Sequence, residues 1–136
     1  MDILTFGLLE DKLKKVIKQK CDLNLSQTRL LLYFKTSDNK KISMGQLAQE
    51  LNISLSTLSR QINQPKTFDL IELERSKSDS SKLLCLNKDG LHKAQILANL
   101  LEEIQLKLIE EWGEEELGHF QRNLNAVLVT LSKVES

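Results

Sequence analysis

Apolar residues recur every third or fourth position along most of this chain, and the places where that rhythm stops mark out its elements. Leu4, Leu8, Leu9, Leu13, Val16 and Ile17, with lysines between them, predict an amphipathic first helix ending near Lys20. Asp22 to Asn24 interrupts it. Ser26 is a reasonable N-cap for a second helix, whose Leu30 to Phe34 run predicts deep burial before polar Ser37 to Lys40 stop it.

Lys41 to Arg75 is the most informative stretch. Ser43 followed by Gln46 has the spacing of a capping box, and Met44, Leu47, Ala48 and Leu51 line one face of a short helix. Asn52 should end it, because asparagine tolerates the left-handed conformation of a tight helix exit. Ser54 can cap another helix carrying Leu58 and Ile62. That helix should end near Gln64, since Pro65 disfavours helical geometry at its predecessor. The prediction is helix, three-residue turn, helix.

Leu70 to Leu73 and Leu83 to Leu86 flank a polar stretch and read as the strands of a hairpin. From Lys88 to Trp112 the apolar positions keep a helical period, which implies one long helix. Gly113 supplies a break. Glu114, Glu115 and Glu116 then sit where the positive end of a new helix dipole favours them, and Leu117, Phe120, Leu124, Val127, Leu128 and Leu131 stripe the last helix. No repeat or linker divides the chain, so the expectation is a single domain over 1–136. It is mainly α with a small two-stranded wing.

Charge localises any anion-binding face. Lys plus Arg number 19 and Asp plus Glu 19, so composition announces no general affinity for polyanions. Residues 91–136, however, hold four bases against eight acids, which leaves the positive surplus in the first 90 residues. Cys21 and Cys85 have no disulfide or zinc spacing, and the start lacks a basic segment before a long apolar run. These features are read as those of a reduced, cytoplasmic, soluble protein with no membrane association.

Two short capped helices joined by a tight turn are a docking device for the major groove, which admits one helix and displays a donor and acceptor code. The second is the reader. Ser54, Ser56, Thr57, Ser59 and Arg60 at its start offer short hydrogen-bonding groups and one guanidinium able to bond bidentately to guanine. Arg75, Lys77 and Lys82 supply positive charge around the wing. The bland alternative is a capped surface helix with a polar face, but a hairpin following directly makes the combination more specific than either part.

Together the runs LSQTRLLLYF, ISMGQLAQELNISLSTLSRQI and DLIELERSKSDSSKLLCLNKDG resemble the MarR family of winged helix-turn-helix regulators, over residues 23–112. The resemblance implies a DNA-binding lobe at about 26–87 and dimerisation helices at about 2–20, 88–112 and 114–134. It further implies a homodimer on a pseudo-palindromic operator of double-stranded DNA, acting as a repressor and released by a small aromatic effector. Family wings carry an Asp and, two residues on, an Arg for the minor groove. Here Asp79 is present but Ser81 stands at the arginine position, and lysines such as Lys77 and Lys82 lack the planar fork, which implies weaker or differently tuned DNA binding. Pro65 and Asp69 also replace a usual leucine and glycine.

Other chemistry is weaker. Cys21 does not match the position of the family's oxidant-sensing cysteine, although Lys18 and Lys20 favour a lowered thiol pKa, and it is read as structural, like Cys85. His92 and His119 are too few for a metal site, and no catalytic triad or phosphate loop is visible, so neither a cofactor nor an enzyme activity is expected. Trp112 either lines an effector pocket or anchors an interface. The alternative function is a winged-helix interaction module or antagonist with weak or no DNA binding, motivated by Ser81 and the zero net charge.

Overall fold

The order of elements follows the punctuation of the sequence. A computed structural model describes residues 1–75 and 82–136. Along it run α1 (Leu4–Cys21), α2 (Leu25–Thr36), β1 (Ile42–Ser43), α3 (Met44–Glu50), α4 (Leu55–Ile62), α5 (Pro65–Phe68), β2 (Ile71–Arg75), β3 (Lys82–Leu86), α6 (Lys88–Trp112) and α7 (Glu114–Glu135). They form two compact units, Met1–Ala98 and Asn99–Ser136. Among the described residues no helix is long and apolar enough to cross a membrane.

In the first unit α2 supplies the centre, with Leu31 and Phe34 wholly buried beside Leu47, Leu58, Leu84 and Leu97. Its N-cap is Asn24 rather than Ser26. The Asn24 side chain accepts from the Gln27 amide (2.9 Å), and the Gln27 side chain accepts from the Asn24 N–H (2.9 Å), so two orphan donors are satisfied reciprocally. Ser26 only donates its hydroxyl to that Asn24 side chain.

The expected hairpin is present, and β1 adds a third strand, giving an antiparallel sheet ordered β1-β3-β2 with Ile42 opposite Leu84 and Ile71 opposite Leu86. Two asparagines tie the sheet down. Asn39, at φ 55°, gives its side-chain amide to the Leu86 carbonyl (3.1 Å) and accepts from the Leu86 N–H (2.8 Å), standing in for a strand residue. Asn87 donates to the Asp69 carbonyl (2.8 Å) while its oxygen caps α6 at Gly90 (2.9 Å). Gly90 is required there, because a Cβ would lie 2.2 Å from the Leu70 carbonyl oxygen.

Pro65 ends α4 as expected, since the helix stops at Ile62 and Gln64 is extended, and it also opens α5 at the first helical position, where its missing N–H would have been unpaired anyway.

The second unit contains the end of α6 and all of α7. Gly113, at φ 85°, separates the helices. No residue of α7 is buried, and Leu128, Val129 and Leu131 are more than half exposed. Leu101, Ile104, Leu108, Leu117, Phe120 and Leu124 line an open cavity of about 480 Å³ within this unit.

Candidate nucleic-acid interface

The helix pair at 44–62 forms because each end is locally satisfied. Ser43 caps α3 by accepting from the Gln46 N–H (3.2 Å). At the other end Asn52 adopts φ 55°, and the Ile53 N–H returns to the Ala48 carbonyl (3.0 Å), so the chain reverses with that carbonyl satisfied. Ser54 then caps α4 by accepting from the Thr57 N–H (3.1 Å).

Only one side of α4 is used by the core. Leu58 and Ile62 are buried, leaving Ser56, Arg60 and Asn63, spaced four and three apart, on the exposed opposite side. Ser54 is exposed as well, while Thr57 and Ser59 are half-buried. The structure thus gathers Ser54, Ser56, Thr57 and Arg60 into one hydrogen-bonded surface chain. The Ser54 hydroxyl donates to Thr57 Oγ1 (2.8 Å) and lies 3.1 Å from Ser56 Oγ, and Arg60 donates to Thr57 Oγ1 at 3.4 Å. That last bond is long, so the guanidinium is held over the face yet gives up little on turning to a phosphate or base.

Electrostatics favour an anion here. Between Glu50 and Asp69 the sequence contains no acid, whereas Arg60 and Lys66 supply two bases. Asn63 belongs to the same stripe and was not among the residues singled out from sequence, although it follows Ser56 by seven positions, a helical repeat. Its side-chain amide currently donates to the Ser59 carbonyl (2.9 Å). Asparagine is the side chain suited to the paired donor and acceptor of adenine.

The wing is less uniformly positive. Arg75 and Lys82 pair across β2 and β3 and both are exposed. Lys77, like Asp79 and Ser81, lies outside the described residues. Glu72 and Glu74 share the other face of the sheet with Lys41. The Lys41 ammonium is hydrogen-bonded to Glu74, which holds its pKa above the ordinary value. On this face the Cys85 thiol donates to Glu72 (3.5 Å), and its pKa is pushed up by burial first and by Glu72 second.

Cys21 corrects the charge argument made from its neighbours. Its thiol is raised, not lowered, because burial outweighs the opposing Lys93, while Lys18 is engaged with Asp22 at 2.8 Å. Among the described residues no three His, Cys, Asp or Glu side chains are placed to hold a metal ion. Trp112, 45% exposed, meets Phe120 edge to face at 5.2 Å.

Comparison with known proteins bears on this geometry. A family model described as MarR family matches residues 22–80, which include α2, the sheet's first strands and the whole helix pair. No curated protein matches the sequence. Among solved structures, the S. aureus MepR-DNA complex is similar with a TM-score of 0.78 at 20% identity, covering 96% of this chain and 96% of that one. Streptococcus pneumoniae FabT in complex with DNA gives 0.76 at 18% identity, covering 96% and 92%. AbsC, a MarR family transcriptional regulator from Streptomyces coelicolor, gives 0.71 at 24% identity, covering 93% and 86%.

Proposed function

We propose that this chain, whose residues 22–80 match the MarR family model, is a winged-helix transcription regulator that binds double-stranded DNA with α4 in the major groove. The observation that carries this reading is the capped, acid-free α4, which buries Leu58 and Ile62 and turns Ser56, Arg60 and Asn63 outward. Ser54, Ser56, Thr57, Ser59 and Arg60 contact phosphates and base edges, while Arg75, Lys77 and Lys82 follow the backbone beside the groove. MepR and FabT, similar in fold, have each been solved with DNA.

The chain acts as a homodimer, its two copies reading half-sites about 10 base pairs apart. The exposed leucines of α1 and α7 support this, since apolar faces of that extent call for cover. Its effect is repression by occupancy of the operator, in the cytoplasm, where the two free thiols persist. A small aromatic effector releases it, for which the Trp112 and Phe120 rings, beside a cavity of about 370 Å³ that Glu116, His119 and Asn123 also line, offer an aromatic wall with polar groups around it.

Selection of bound duplexes from a random pool, followed by a salt titration on the winner, tests the reading. The selected site should be a pseudo-palindrome, and log affinity should fall linearly with log salt concentration. Failure to retain any duplex at low salt overturns the reading and leaves the interaction module, for which Glu72 and Glu74 on the wing are the supporting observation.

A further inference from the structure

Gln27 and Thr67 stand 40 positions apart, and both are buried, at 5% and 2% exposure. The Gln27 side-chain nitrogen donates to the Thr67 hydroxyl (3.1 Å), while its oxygen accepts the Asn24 N–H (2.9 Å). One amide therefore joins the cap of α2 to the middle of α5. Thr67 is the only buried residue of α5, which otherwise exposes Pro65, Lys66 and Phe68.

The location of that bond matters because α4 is only eight residues long. Its start is fixed by the Asn52 turn and the Ser54 cap. Its end passes through Asn63 and an extended Gln64 straight into α5, and the Thr67 and Phe68 N–H groups return to the Gln64 carbonyl at 3.0 and 2.8 Å. The direction in which α4 leaves the core is thus set by where α5 is held. A second tether, Lys66 to Asp22 at 3.8 Å, is exposed and screened by solvent. By contrast, the Gln27–Thr67 bond is buried and directional, and losing one partner leaves the other's polar group desolvated.

We propose that Gln27 and Thr67 are positioning residues for DNA reading, because their hydrogen bond holds α5 and so fixes the angle at which α4 presents Arg60 and Asn63 to the groove. The inference rests on the DNA-binding function proposed above. Small angular errors at a reader helix weaken base-edge contacts, which need bidentate geometry, more than phosphate contacts, which are charge-driven.

The test uses the full chain, the duplex recovered by selection, and a random-sequence duplex of equal length. Thr67→Val removes the hydroxyl at nearly constant shape, Thr67→Ser keeps it, and Gln27→Met removes the other partner. All are compared by anisotropy at a temperature where circular dichroism shows each variant folded. Thr67→Val should lose about tenfold in affinity for the selected duplex, the size of one lost base contact, and little for the random one, while Thr67→Ser stays close to the original ratio. Hydrogen exchange provides a second measurement and, should Thr67→Val not fold, is made on Gln27→Met: amides of residues 60–63 should exchange faster while those of α3 do not.

An unchanged ratio of specific to random affinity in Thr67→Val, with exchange in α4 unchanged, makes the bond merely structural and overturns the inference although the chain binds DNA. If the original chain binds no duplex at all, the proposed function fails, and this inference fails with it.

Discussion

Two regions of this molecule carry the same sequence rhythm and meet different fates. In the first unit the stripes of α2, α3, α4 and the start of α6 converge, and Leu31, Phe34, Leu47, Leu58 and Leu97 are almost wholly buried. In the second, α7 repeats apolar residues with the same spacing and buries none of them. α1 falls between the two, burying Ile17 and Cys21 near its end while Leu4, Leu8 and Leu9 remain exposed. An apolar stripe is therefore a requirement for cover, and cover comes either from the chain's own elements or from outside it. The first unit buries its stripes against its own elements, while the stripe of α7 is left exposed, the kind of apolar face that under the proposed function a second copy covers.

The comparison is most sharply tested by truncating one side chain in each region. Phe34→Ala should cost about 3–5 kcal/mol of unfolding free energy by cavity formation, measured by denaturant titration. Leu128→Ala should leave that quantity within about 0.5 kcal/mol for the isolated chain. It should instead weaken self-association by about 1.5–3 kcal/mol per copy, read by sedimentation equilibrium. Equal effects of the two on unfolding, with association untouched, would break the contrast.

Within the lobe, Gly90→Ala forces a Cβ to within 2.2 Å of the Leu70 carbonyl. It should destabilise by about 1–3 kcal/mol, seen as a lowered melting temperature, and a neutral result would mean that α6 can shift away from the wing at no cost. On the exposed side of α4, Arg60→Ala should weaken specific DNA binding by about 1–3 kcal/mol and relax preference at one base position, with the denaturation midpoint unmoved. Under the interaction-module reading the same change would leave partner capture intact.

The smallest effect concerns the thiols. Burial raises Cys21 and Cys85 above the ordinary value of 9.0. The unfolded chain then loses these protons at lower pH than the folded one, so stability holds below the ordinary value and declines as pH climbs from there toward the raised ones. Unfolding titrations from neutral to alkaline pH should show that decline, and replacing both cysteines by alanine should flatten it.

Much of the architecture was legible because it is local. Ser43, Asn52 and Ser54 each act within five residues, and each caps or ends its helix as its type suggests, although Gln46 Oε1 accepts from the Ser43 hydroxyl rather than from its backbone N–H, so the capping box is only half made. Ser26 misled for the same reason, since Asn24 two residues earlier is an equally good cap and the Gln27 partner decides between them. Pro65 is ambiguous in sequence, because its fixed φ both ends one helix and suits the first turn of the next. The serine and arginine face of α4 could be read from its spacing, whereas Arg75 and Lys82 could be placed at the wing but not weighed against Glu72 and Glu74.

What the sequence determined unaided was the series of longer helices, the helix pair and the two hairpin strands, with α4 amphipathic and capped, since periodicity and capping depend only on neighbours along the chain. Tertiary structure alone decided the third strand at Ile42 and Ser43, the raised Cys21 thiol, the space denied to any side chain at Gly90, and the pairing of Gln27 with Thr67. Each of these depends on a distance between residues far apart in the chain, and such distances are fixed only when the apolar faces have packed.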